Sequence, residues 1–117
     1  MNESNSPPSI ALSTLPRGIG KTLARREIVY SYLRSHYTPQ VEDKEHIHSG
    51  VVYYHIADLS NLLEQSGMGS SQRSGLEREL QERRIPTGYA GREAFVRLLE
   101  QQGCFKKVYS YCRNNLE

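Results

Sequence analysis

From Thr22 onward the apolar positions follow helical rather than strand periods. Ile28, Val29, Tyr32, Leu33 and His36 stand at i, i+1, i+4, i+5 and i+8, one stripe on a helix that must end before Pro39. Residues 38–50 are polar and punctuated by Pro39 and Gly50, which predicts a loop holding at most one short acidic helix. Ile56, Leu59, Leu62 and Leu63 then resume helical spacing up to Gly67, with Ser49 available as a cap. Within that stretch Val51 to Tyr54, taken alone, suits a strand as well as a helix, because β-branched and aromatic residues favour the pleated conformation.

Beyond the Gly67–Ser71 break, Ser74-Gly75-Leu76-Glu77 has the S-x-x-E form in which hydroxyl and carboxylate satisfy each other's orphan backbone N–H groups. It predicts a helix starting near Ser74, with Leu76 and Leu80 on one side and Arg73, Arg78, Arg83 and Arg84 elsewhere, ended before Pro86. Gly88 to Gly91 reads as a turn. Ala94, Phe95, Leu98 and Leu99 form a tight stripe closed by Gly103 as a C-terminal cap. Phe105, Val108, Tyr109, Cys112 and Leu116 recur at i, i+3, i+4, i+7 and i+11, with Lys106, Lys107 and Arg113 outside. Five helices are visible, six if the acidic loop folds, with no internal repeat and almost no strand alternation. The expected fold is all-α: a compact five- to six-helix antiparallel bundle around one core.

Length adds that 117 residues suit one domain. Residues 1–16 are rich in Ser, Asn and Pro with little to bury and read as a disordered leader, leaving 17–117 as a single helical interaction domain. The longest apolar run is far short of the roughly 20 residues of a membrane-spanning helix, and residues 1–16 lack a charged leader followed by an apolar block. A cytoplasmic protein without membrane contact is expected. Cys104 and Cys112 cannot form a disulfide framework, and their spacing of eight along one helix prevents a bridge within it, so both read as reduced thiols.

The net charge of +2 hides a segregated distribution. Residues 17–34 carry Arg17, Lys21, Arg25, Arg26 and Arg34 against Glu27 alone, and residues 35–72 carry Glu42, Asp43, Glu45, Asp58 and Glu64 against Lys44 alone. From 73 to 113 basic residues again prevail. Segments of opposite sign can pair with another copy of the same surface, or the basic part alone can meet phosphate.

Catalytic and cofactor chemistry find little support. Gly18-Ile19-Gly20-Lys21-Thr22 ends like a phosphate-binding loop, but Leu15 stands where G-x-x-x-x-G-K-[ST] requires its first Gly. His46, His48, His55 and the two cysteines are zinc-ligand types without C-x-x-C or H-x-x-x-H spacing. Cys112 sits on an apolar stripe, where thiols are usually inert. No enzyme activity, cofactor or metal is expected. A helix-turn-helix reading has more substance: Ile56–Gly67 and Ser71–Arg84 would be the two helices, with Gln72, Arg73, Ser74 and Arg78 toward bases and Gly88–Gly91 as a possible wing. Against it, Glu77, Glu79 and Glu82 lie among the arginines and the connection exceeds the usual three or four residues.

The segment from Gly69 to Leu116 resembles the last three helices of a death-fold domain. Leu76 and Leu80, Arg83 and Arg84, Gly88 and Gly91, Phe95 with Leu98 and Leu99, Gly103, and Val108 to Leu116 follow an order similar to that of caspase-recruitment domains. Gly91 to Gly103 is similar to a segment of death-effector domains, although the Arg-x-Asp-Leu element usual near their end is absent. The resemblance implies a non-enzymatic adaptor in innate-immune or cell-death signalling that joins copies of itself or a related domain by charge pairing. It implies partner-binding roles for Arg25, Arg26 and Arg34 on the first helix and Arg83 and Arg84 at the end of the fourth. Glu42, Asp43 and Glu45 would form the opposing patch. The alternative partner is nucleic acid through a helix-turn-helix or winged-helix domain, and a third reading is a helical adaptor that takes a peptide in an apolar groove.

Overall fold

The computed structural model describes residues 19–41, 51–83 and 88–116. The leader, the acidic residues 42–50, Arg84 and Pro86 lie outside the described residues, as does any sixth helix there. Five helices carry most of the described chain: α1 (Ile19–His36), α2 (Ile56–Gln65), α3 (Ser70–Glu82), α4 (Arg92–Gln101) and α5 (Phe105–Asn114). Three short strands accompany them, β1 (Gln40–Val41), β2 (Val52–His55) and β3 (Tyr89–Gly91). The fold is thus mostly helical with a small sheet.

The sheet corrects the expectation that strand structure is nearly absent. Its order is β1-β2-β3, antiparallel throughout, with Tyr53 opposite Gln40 and Gly91, Tyr54 opposite Ala90 and His55 opposite Tyr89. Val51 to Tyr54 therefore resolves as strand from Val52, and the expected turn at Gly88–Gly91 is largely β3. Alternation was illegible because each strand is too short to show a period: only Tyr54 and Ala90 turn inward to full burial. His55 and Tyr89 pair outside it with ring centroids 4.2 Å apart. Since β3 pairs with β2 and passes directly into α4, the described residues form no hairpin at Gly88 that could serve as a wing.

Each helix buries the centre of the stripe its spacing predicts, while Ile28, Ala94, Phe105 and Tyr109 are only partly buried and Leu116 lies beyond α5. Val29, Tyr32 and Leu33 of α1 are buried, as are Leu59, Leu62 and Leu63 of α2, Leu76 and Leu80 of α3, Phe95, Leu98 and Leu99 of α4, and Val108 and Cys112 of α5. They merge into one core, with α1 lying along α5 and α2 against α3. His36, assigned to the α1 stripe, is exposed at its end. A bidentate ion pair from Arg26 to Glu100, 2.7 Å on both arms, ties α1 to α4.

Helix α3 begins at Ser70 rather than near Ser74. Gly75 lies inside it, and no capping box forms, because the Glu77 carboxylate accepts the Ser60 hydroxyl of α2 instead. Tertiary contact outweighs the local signal. The earlier start leaves only Ser66 to Gly69 between α2 and α3, a connection of helix-turn-helix length.

An internal repeat, missed in the sequence, is plain in the backbone. In both β2–α2 and β3–α4 a strand runs without a break into a ten-residue helix. The helices end in Leu62-Leu63-Glu64-Gln65-Ser66-Gly67 and Leu98-Leu99-Glu100-Gln101-Gln102-Gly103. Gly67 and Gly103 have φ of +86° and +76°. The N–H groups of Met68 and Cys104 bond back to the carbonyls of Leu63 and Leu99, and those of Gly67 and Gly103 to Glu64 and Glu100. This is the Schellman arrangement twice over, each with a buried residue after the glycine to seal it. The pattern escaped notice because outside L-L-E-Q-x-G the two units share little sequence.

Candidate protein interaction surface

The basic residues singled out from the sequence do not form one patch. Arg25, half-buried on α1, lies over the Tyr109 ring of α5 at 5.4 Å, and Arg113 approaches the same ring at 5.5 Å. Both distances fall within the range of a cation–π attraction. Lys21 lies one turn before Arg25 on α1, and α5 adds exposed Lys106 and Lys107 with no acidic residue in the helix. A cationic face thus spans α1 and α5. Arg26 is not part of its free charge, since Glu100 engages its Nε and Nη2 and raises the arginine's pKa, chiefly through that hydrogen bonding.

Arg34 is exposed and donates to the Ser31 hydroxyl. Arg83, the C-cap residue of α3, donates to both the carbonyl and the carboxylate of Glu79, an i,i+4 pair. Arg84, Glu42, Asp43 and Glu45 lie outside the described residues. Around Arg78 and Arg83 the outer side of α3 also carries Glu79 and Glu82, so positive charge is not concentrated there.

Among the described residues no three His, Cys, Asp or Glu side chains gather as a metal site. Cys104 and Cys112 are buried free thiols. Burial pushes the Cys112 thiol up to about 12 and that of Cys104 upward as well, so both stay protonated and poorly nucleophilic near neutrality. No described helix is long and apolar enough to cross a membrane.

One feature was not anticipated. Where the C-terminal ends of α1, α2 and α5 converge, an open cleft of about 600 Å³ is lined by Tyr32, His36 and Tyr37, by Asn61 and Gln65, and by Tyr111, Asn114 and Asn115. Tyr32 forms its back. Tyr37 and Tyr111 stand at 65° and 71° to that ring, at centroid distances of 6.3 and 5.7 Å, and His36 stacks on it at 4.0 Å. The hydroxyls of Tyr32 and Tyr111 both donate to Gln65 Oε1, at 3.3 and 3.1 Å, while the Asn61 amide donates to the Tyr37 hydroxyl at 3.0 Å. Burial raises the pKa of Tyr32 and of Tyr37, and the neighbouring Tyr111 hydroxyl raises that of Tyr32 further. Tyr32 entered the sequence reading only as part of a core stripe and Tyr37 and Tyr111 not at all. The remaining signal was eight tyrosines in a chain without Trp.

No protein-family model matches the chain, and no curated protein or solved structure is significantly similar to it.

Proposed function

We propose that this chain is a non-enzymatic protein-interaction module that assembles with copies of itself or a related helical domain, as the death-fold domains its C-terminal half resembles do in innate-immune and cell-death signalling. The observation that carries this reading is the cationic face of α1 and α5, where Arg25 and Arg113 share the Tyr109 ring and α5 carries no acid. Packing on a ring orients the guanidinium groups while leaving their edges available to acceptors, which suits them to docking. The architecture supports the reading only at the coarser level of a mostly helical fold around one core.

The test is sedimentation of wild type and of the double charge reversal Arg25→Glu, Arg113→Glu at low and high salt. The double variant is expected to stay folded by far-ultraviolet circular dichroism and to lose association. Association that persists in the variant and at high salt alike refutes the charge mechanism, and a wild type that stays monomeric refutes self-assembly. The four-residue connection between α2 and α3 favours a helix-turn-helix as the second reading. Duplex DNA should then bind with steep salt dependence, and absence of a complex at low salt dismisses it.

A further inference from the structure

We propose that the tyrosine cleft at the joined ends of α1, α2 and α5 is the receiving half of the self-assembly interface and takes the guanidinium group of Arg113 from a second copy. The inference rests on the self-assembly reading and extends it by naming donor and acceptor.

Three properties of the cleft select a cation. Its aromatic surface comes from Tyr32, Tyr37 and Tyr111, and tyrosine ring faces attract positive charge. Its outer walls, Tyr37 just past the end of α1 and Tyr111 on α5, flank Tyr32 at steep angles to it, so a planar group entering between them meets more than one ring. The three helices that meet there do so by their C-terminal ends, the negative poles of their backbone dipoles. Among the described residues no Lys or Arg lines the cleft and His36 is the basic member, while the carboxylate of Asp58 acts on Tyr37 from nearby.

The complement is carried on the same chain. Arg113 is exposed and immediately precedes Asn114 and Asn115, which line the cleft, so donor and acceptor adjoin at one end of α5. Two copies related by a two-fold axis beside that end would each place Arg113 in the other's cleft, and the exchange closes as a dimer. Arginine suits the site better than lysine because its flat group stacks between rings while its five N–H donors reach amide and carbonyl oxygens. The contact between Arg113 and Tyr109 limits the freedom this side chain loses on docking.

The experiment is complementation, read by sedimentation of the full chain. Tyr37→Leu with Tyr111→Leu removes the ring faces and leaves the buried Tyr32 in place; Arg113→Glu removes the donor. Each variant alone is expected to associate at least roughly tenfold more weakly than wild type, from the loss of desolvated cation–π contacts. An equimolar mixture is expected to regain association, because one of the two exchanged contacts is then intact. Tyr37→Phe with Tyr111→Phe keeps the rings, guards against a folding defect, and is expected to associate as wild type does. If the leucine variant associates like wild type while Arg25→Glu, Arg113→Glu abolishes association, the cleft has another occupant and this inference falls, with the self-assembly reading intact. Failure of the mixture to regain association refutes the Arg113 pairing.

Discussion

Replacing glycine by alanine should change stability in opposite directions at Gly75 and at Gly67 or Gly103. At none of the three would an added methyl meet another atom within 4 Å, so the backbone alone decides the sign. Gly75 lies inside α3, where alanine is favoured over glycine by about 0.8–1.0 kcal/mol because glycine loses more conformational freedom on becoming helical. Gly67 and Gly103 sit at φ of +86° and +76°. There an L-residue incurs about 1–2 kcal/mol of strain, and the smaller entropy of the unfolded alanine chain offsets only part of it, leaving a net loss of about 1 kcal/mol. The variants should therefore separate by about 2 kcal/mol, with Gly75→Ala more stable than wild type and the other two less. Urea denaturation followed by circular dichroism would show this as midpoint shifts at unchanged slope, and melting would move by roughly 4–8 °C per kcal/mol. The result refuting the reasoning is a Gly75→Ala variant no more stable than wild type, as expected if α3 began near Ser74 and left Gly75 at its frayed edge. Equal effects at all three positions would show that the two Schellman ends are not formed.

Two further predictions test the packing. Alkaline titration should destabilise the protein between about pH 9 and 12: the unfolded Cys112 thiol releases its proton near its ordinary value of 9.0, whereas burial holds the folded thiol up to about 12. In that window the unfolded state binds fewer protons, so stability falls as pH rises, by at most about 1.4 kcal/mol per pH unit for this group. Cys112→Ala should flatten the slope, measurable by denaturation midpoints against pH, and an unchanged slope would exclude the buried thiol as its source. For Arg26 and Glu100, a double-mutant cycle with alanine should give a coupling of about 1 kcal/mol, typical of a well-formed bidentate pair that remains partly exposed. A coupling near zero would mean that α1 is held to α4 by apolar contact alone.

Much of the helical architecture was legible because it depends on local periodicity. The stripes Val29–Tyr32–Leu33, Leu59–Leu62–Leu63, Phe95–Leu98–Leu99 and Val108–Cys112 predicted both the helices and their buried faces, and Gly103 predicted a helix end. Local signals misled where a partner distant in sequence competed. Glu77 answers Ser60 across α2 rather than capping its own helix, and Val52 to His55 became strand because Tyr89–Gly91 lies alongside. Of the predicted site residues, Arg25 and Arg34 retain exposed or half-exposed positions, while Arg26 and Arg83 are engaged by carboxylates, Arg83 by its i−4 neighbour and Arg26 by one on a separate helix.

The order of hydrophobic residues, acting through helical repeats and glycine stops, was enough to determine a mostly helical fold with one core among the described residues and the burial of Cys112. Which charges remain free, and the cleft formed by Tyr32, Tyr37 and Tyr111, were decided only when α1, α2 and α5 came together. Hydrophobic burial follows from a residue's neighbours within a few turns of its own helix; an ion pair or an aromatic cleft requires particular side chains from separate helices at one place, and only the packed chain supplies it.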